Sequence, residues 1–336
     1  MVLIAAVVGL LAWQLASVWL LLFAATLFGL GLRTASTWLS EQTHMPRWTA
    51  LVLWIIIGAA MIGGFFWFVA AGLMSQFTDL SNRIPRALES LRDWAAGYSF
   101  LQPITRDVEA LLGGNGDGSG PSAFLGGALD ASRLTITALG NVVVMCVLAI
   151  YMALDMKTYA SGILRLVPPD WRDTATELLE AWSTALPWWL AARIMSMTLV
   201  AILVSIGLAI AGVPLALVLG LIAGLFSFVP FLGPIASVVP AILVGLTESS
   251  STVVSVLIVF GAVQILESYL ITPLIERHTV SIPLFPLIAA QLVAGALLGV
   301  PGVMFATPMF LTLVIGIQVI YQRRILGEEV EVWGVG

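Results

Sequence analysis

Charge is scarce in this sequence. Only 10% of its 336 residues are Asp, Glu, Lys or Arg, against roughly 25% in a soluble domain, so the chain has too little polar surface to coat a water-soluble globule. Cysteine is nearly absent. The single Cys146 lies in an apolar stretch, which excludes an internal disulfide and leaves the redox compartment unread. The two histidines, His44 and His278, are far apart and each falls in an expected loop, so neither a metal cluster nor a His-based catalytic set is indicated. No G-x-x-x-x-G-K-[ST] is present, and the glycine-rich stretch at 113–120 follows no strand and carries no lysine, so ATP is not expected to drive the protein from within its own chain. The net charge is -5 without a polybasic block, which leaves no nucleic-acid footprint. No enzyme chemistry and no cofactor are indicated. The N-terminus has no basic segment ahead of its apolar run at 2–32, and that run is too long for a cleavable signal peptide.

What is present is apolar: 60% of the residues are hydrophobic and the mean hydropathy is +1.05. A spanning helix needs about 20 apolar residues, because it rises about 1.5 Å per residue across roughly 30 Å of hydrocarbon. Segments 48–74, 134–154, 188–211 and 252–272 each fit one helix. The run 2–32 is awkward. Two short helices bending near 9–14 are the favoured reading, and one long tilted helix is the alternative. These N-terminal helices fill 1–74, and a further spanning segment occupies 133–157. Between them, 75–132 reads as an extramembrane segment, in which Leu80, Ile84, Leu88 and Leu91 recur at helical spacing among charges before "GGNGDGSGPS", a flexible linker. Segment 158–187 contains "VPPDWRDTATELLEAW", a proline-started amphipathic helix expected to lie along the membrane face. The transport core would be 188–325, followed by a tail at 326–336.

Lys and Arg favour cytoplasmic loops. Placing the loop 33–47 inside puts Lys157, Arg165, Arg172, Arg193, Arg277, Arg323 and Arg324 inside as well, and leaves the loops near Gly212 and 246–251 outside, free of Lys and Arg. Arg83, Arg86, Arg92, Arg106 and Arg133 run against this scheme.

Prolines and glycines interrupt the core twice. In "FSFVPFLGPIASVVP" the arms 214–228 and 234–246 are both short for a bilayer, and "VPFLGP" between them would lie at membrane depth. Pro230 and Pro234 remove backbone donors and Gly233 permits a tight reversal, while hydrocarbon cannot satisfy the freed carbonyls. Phe231 is expected beside them, facing protein or a cavity. A second interruption falls at Pro301 and Gly302 in "ALLGVPGVMFATP", between arms 286–300 and 303–321. Helix 188–211 with the first hairpin, and helix 252–272 with the second, form opposed units. Inverted repeats with broken helices are the pattern of secondary transporters, which hold substrate at the facing tips. Ordinary spanning helices kinked by proline are the alternative.

Among polar residues in these runs, Gln264 and Glu267 lie three apart on one helical face and within mutual reach. An acidic residue at that depth is expensive and is a functional hypothesis by default: proton or cation coupling, or a hydrogen bond to a polar solute. The alternative pairs Glu267 with Arg277 at the interface. Arg193, early in its helix, is expected to snorkel to the surface. Asn141, Gln291 and Gln318 read as interhelical hydrogen-bond partners, and Asp155 with Lys157 as the interfacial end of a span.

"GVPLALVLGLIAGLFSFVPFLGPIASVVPAILVGL" and "QILESYLITPLIERHTVSIPLFPLIAAQLVAGALLGVPGVMFATP" resemble the AI-2E family of prokaryotic transporters, also described as PerM-like permeases. The residues that carry the resemblance are Gly212, Val213 and Pro214; Pro230, Gly233 and Pro234; Gln264 and Glu267; Thr272 and Pro273; Pro286; and Gly299 and Gly302. The chain departs from the family at Phe285, often histidine there, at the turn "IERHTV", and near Arg193, where a Gly-Gln pair is missing. The resemblance implies export of autoinducer-2, a small hydroxylated furanosyl signal, or, as for other members, sodium/proton exchange. It also implies a homo-oligomer.

The expected protein is an all-α polytopic membrane protein, with about six spanning helices plus two proline/glycine-broken hairpins in inverted helix-plus-hairpin units. Its expected function is export of a small polar solute from a prokaryotic plasma membrane by alternating access. Gln264, Glu267, Phe231, Gly233, Pro230, Pro234, Pro301 and Gly302 would line the path, with a proton or sodium ion as the coupling partner. Monovalent cation/proton antiport is the alternative, and a non-transporting membrane scaffold is the alternative from another class.

Overall fold

The computed structural model describes residues 15–68, 131–271, 284–328 and 330. The expectations for 1–14, for the extramembrane segment 75–130, for the turn at 272–283 and for the end of the tail lie outside the described residues. Among those described, all regular structure is helical: α1 (Ala16–Thr43), α2 (Arg47–Phe68), α3 (Ala131–Leu166), α4 (Arg172–Ile210), α5 (Ala216–Phe226), α6 (Leu232–Glu248), α7 (Ser250–Leu266) and α8 (Leu284–Gly316). A 3-10 turn, Pro169–Trp171, precedes α4, and π-helical segments follow α7 (Glu267–Ile271) and α8 (Ile317–Ile325). Five stretches are long and apolar enough to cross a bilayer: Ala16–Thr43, Gly140–Leu166, Pro169–Ile210, Ser250–Tyr269 and Leu284–Ile325. The chain is an all-α polytopic membrane protein.

Three boundaries differ from the sequence expectation. The loop expected at 33–47 is helical as far as Thr43, because "RTASTWLSEQT" contains no glycine or proline to stop the helix. The stop comes where Met45 precedes Pro46, a position that disfavours helical backbone. His44 turns left-handed there (φ 55°), and the Ser40 hydroxyl closes the turn on the Met45 carbonyl. The second difference is larger. The amphipathic helix expected to lie along the membrane face is continuous with the spanning helix that follows it, forming the 39-residue α4 with Pro187 inside. An interior proline costs about 3 kcal/mol in isolation. Here its surroundings are buried: Ala181, Ala185, Leu186, Trp189 and Leu190 form one core with Leu27 and Leu30 of α1, Phe228, and Leu311 and Ile315 of α8. Tertiary burial outweighs the local penalty. At about 1.5 Å per residue α4 is about 58 Å long, twice the hydrocarbon thickness, so much of it projects from the bilayer.

The expected end of a span at Asp155 is a kink within α3, where the backbone departs from helical geometry (φ -114°, ψ 25°). Between α6 and α7 the connection is the single residue Ser249, whose hydroxyl accepts from the Thr252 amide and caps α7.

A second core holds α4 to α7 together through Val204, Leu208, Val218, Leu219, Val244 and Val256. Helices α4 and α5 approach closely. A Cβ added at Gly220 would stand 2.7 Å from the Ala201 carbonyl oxygen, and one at Gly224 2.6 Å from that of Met197. Gly220 and Gly224 form a G-x-x-x-G face, which lets two backbones meet where no hydrophobic effect drives helices together.

Candidate functional site

The chain leaves α5 at Phe226 and enters α6 at Leu232, so the carbonyls from Phe226 to Pro230 fall at the break between two helical ladders. Each carbonyl from Phe226 to Pro230 nevertheless has a donor. The Val229 amide donates to Phe226 (3.0 Å) and the Gly233 amide to Val229 (3.1 Å). The Arg193 guanidinium, reaching across from α4, donates through Nη2 to Ser227 and through Nε to Phe228 (3.0 Å). Pro230 accepts from the Leu232 amide (2.8 Å) and from Gln291 Nε2 of α8 (3.0 Å). This accounting is what an interrupted helix in an apolar protein requires.

Three of the expected tip residues act differently from the sequence reading. The reversal is made by Phe231, not by Gly233. Phe231 has φ 64° and ψ -53°, and with the Leu232-to-Pro230 bond it forms a γ-turn of the strained sense. Its side chain is exposed. Gly233 is buried and serves close approach: a Cβ there would lie 1.9 Å from the Phe226 carbonyl oxygen. Pro234 stands in the first turn of α6, where its missing donor would have had no helical partner in any case.

Arg193 does not snorkel to the surface; it is bound to the hairpin tip. One turn further along α4, the Ser196 hydroxyl donates 2.7 Å to Oε1 of Glu267. Glu267 is 6% exposed and opens the π-helical segment after α7. Widened turns of this kind recur at functional sites. Gln264 does not bond Glu267; its amide reaches Ser268 at 3.4 Å. Arg193 and Ser196 lie three apart on α4, so one helix carries both the donor to Glu267 and the donors to the first hairpin, whose Pro230 carbonyl in turn meets Gln291.

The second hairpin lies within α8. Gly299 takes a left-handed, extended conformation (φ 67°, ψ -153°), and the arms fold back so tightly that a Cβ on Gly302 would meet the Ala294 carbonyl oxygen at 2.1 Å. Both hairpins therefore close in the same way, with a glycine of the second arm set against a backbone carbonyl of the first. Pro301 is exposed at the turn and Gly302 is buried. The elements of this hairpin that meet the first tip lie in its arms: Gln291 at Pro230, and Phe305, whose ring stands edge-on to Phe228 with centroids 5.9 Å apart. Gln291 is fully buried, and its Oε1 has no hydrogen-bond partner among the described residues; the same holds for Thr307 Oγ1 and Gln318 Oε1.

Pro230, Phe231, Gly233 and Pro234 thus come together at the first tip, and Glu267 is bonded to Ser196, three residues from the Arg193 that holds that tip. Gln264, Pro301 and Gly302 make no hydrogen bond to this cluster among the described residues. Ser196 has no counterpart in the sequence reading, and the available signal was its spacing of three from Arg193 in an otherwise apolar run. Among the described residues no group of three His, Cys, Asp or Glu side chains could hold a metal.

The sequence profile described as "AI-2E family transporter" matches residues 2–322. The chain is 25% identical over 299 residues to "Putative transport protein YrrI" of Bacillus subtilis (strain 168), covering 84% of this chain and 81% of that one. It is 27% identical over 282 residues to "Putative transport protein MT0215" of Mycobacterium tuberculosis (strain CDC 1551 / Oshkosh), covering 81% and 74%. With "Putative transport protein YueF" of Bacillus subtilis the figures are 24% over 212 residues, 63% and 53%. With the profile spanning nearly the whole chain and the hairpins formed by its matching segments, this chain belongs to the AI-2E family and is a multi-pass membrane transporter.

Proposed function

We propose that this transporter exports a small, hydroxyl-bearing polar metabolite of the autoinducer-2 kind across a prokaryotic plasma membrane by alternating access, and that it works as a homo-oligomer. Gln291 carries the reading. Its amide nitrogen is committed to the strained Pro230 turn, while its buried carbonyl oxygen has no partner among the described residues. An unpaired buried acceptor costs about 1–3 kcal/mol, and a solute hydroxyl arriving at the first hairpin would recover it. Pro230, Phe231, Gly233, Pro234, Glu267 and Gln264 then border the path from one side, and Pro301 and Gly302 form the tip of the opposed hairpin. Rocking of one helix-plus-hairpin unit against the other would expose this path alternately to the two faces.

A specific observation favours a second reading, monovalent cation/proton exchange: Glu267 is a carboxylate within a candidate spanning segment, buried, and among the described residues it is held by the Ser196 hydroxyl. Purified protein in liposomes separates the two. Movement of a labelled autoinducer-2-like solute, lost in Gln291→Leu, supports export. Sodium-driven proton movement without solute flux supports exchange. Absence of both leaves a membrane scaffold.

A further inference from the structure

Away from the hairpins, a cleft of about 420 Å³ opens between α1, α2 and α3, and Arg33, Arg47, Lys157 and Asp155 line it together with Thr37 and Thr158. A neighbouring cleft of about 340 Å³ shares Arg33 and Thr37 with it. Arg33 is half-buried on a helix that otherwise spans the bilayer. Among the described residues neither Arg33, Arg47 nor Lys157 forms a salt bridge or donates a side-chain hydrogen bond. Three cations against Asp155 here, and Glu41 in the neighbouring cleft, leave the surroundings net positive, and like charges gathered in excess repel unless an anion joins them. Arginine forks and threonine hydroxyls are the donor set that suits the tetrahedral oxygens of a phosphate.

We infer that the cleft between α1, α2 and α3 binds a phosphate group through Arg33, Arg47 and Lys157. The depth favours an anionic phospholipid headgroup as the source. Trp48 lines the cleft and Trp38 its neighbour, and both side chains are more than half exposed, as aromatic residues are at the membrane–water boundary. The charge pattern also places this turn on the cytoplasmic side, where anionic lipids concentrate. The site is independent of the solute pathway and of the transported species.

The test is retention of lipid by the full chain purified in detergent, read by native mass spectrometry with phosphatidylglycerol and with phosphatidylcholine, with and without millimolar inorganic phosphate. The wild-type protein should retain phosphatidylglycerol preferentially. R33Q/R47Q should retain it about thirtyfold less, since each basic side chain near an anionic surface is worth roughly fivefold. R33K/R47K keeps the charge and should retain most of the binding, and K157Q, altered only at the exposed rim, should lose about fivefold, so a folding defect in the double glutamine variant does not decide the matter. R165Q, which removes an exposed arginine from the same helix, should change nothing. Loss in R33Q/R47Q with no displacement by inorganic phosphate supports the lipid, and loss with displacement supports a soluble phosphate-bearing ligand in the same cleft. Equal retention of both lipids by the wild-type protein, or undiminished retention by both R33Q/R47Q and K157Q, overturns the site.

Discussion

Ser196 on α4 donates a 2.7 Å hydrogen bond to the carboxylate of Glu267, which lies 71 residues further along the chain. That bond ties the long helix of the first helix-plus-hairpin unit to the helix of the second, at the point where α7 loosens into π geometry. A buried carboxylate held by a hydroxyl from another helix is sensitive to small changes at either end. Glu267→Gln preserves shape and removes the negative charge. In proteoliposomes the Gln variant should fold normally and lose flux, and an unchanged rate would remove Glu267 from the mechanism.

Ser196→Ala removes the donor and leaves the carboxylate buried without that bond. The expected cost is about 1–3 kcal/mol, read as a fall of several degrees in thermal unfolding of the detergent-solubilised protein. The double variant with Glu267→Gln should lose less than the sum of the two single changes, because both act on one interaction. Strict additivity would show that the two residues do not depend on each other.

Arg193 provides the donors for two of the five carbonyls at the first tip. Arg193→Leu should cost on the order of 2–5 kcal/mol, since it strands two backbone acceptors in an apolar setting. Arg193→Lys supplies one donor group in place of a fork and should fall between the two. Protease sensitivity of the 226–232 segment is the readout, and resistance equal to wild type in Arg193→Leu would contradict the assignment.

Phe231 occupies backbone that glycine adopts freely, at a cost of roughly 1–2 kcal/mol for a side-chain-bearing residue. Phe231→Gly should therefore stabilise the fold by up to about 1 kcal/mol while lowering transport, if the strained turn is part of the working cycle. At the two closing glycines the expectation reverses. Gly233→Ala and Gly302→Ala each drive a methyl into a carbonyl oxygen and should destabilise by about 1–3 kcal/mol. Tolerance of both alanines would mean that the hairpins close less tightly than described.

The hairpins were legible because proline and glycine placed together disfavour a continuous helix: "VPFLGP" and "GVPG" each locate a reversal. Helix length was less legible. Pro187 read as a boundary, and burial of Leu186, Trp189 and Leu190 against α1 and α8 carries the helix through it. Arg193 was misassigned for a related reason. Its place in the sequence says how near the helix end it lies, whereas its partner, a carbonyl pair 34 and 35 residues later, exists only once α5 has packed on α4. Ser196 gave almost no signal, since a serine in an apolar helix usually returns its hydroxyl to its own backbone. The pairing of Gln264 with Glu267 assumed an ordinary helical repeat that the π segment does not keep.

The continuity of α4 has a mechanical result. One continuous helix carries Arg193 and Ser196 in its second half, and in its first half Glu177, which forms a salt bridge with Arg323 of the C-terminal π segment. A tilt of about 5° about Pro187 moves Ser196 and Glu177, on either side of it, by about 1 Å each in opposite directions. Force applied to the projecting half, by the C-terminal segment or by anything that grips it, is thereby delivered as a lateral displacement beside the carbonyls of the first hairpin. A helix moving in this way would act as a lever pivoting where Pro187 is buried in the core.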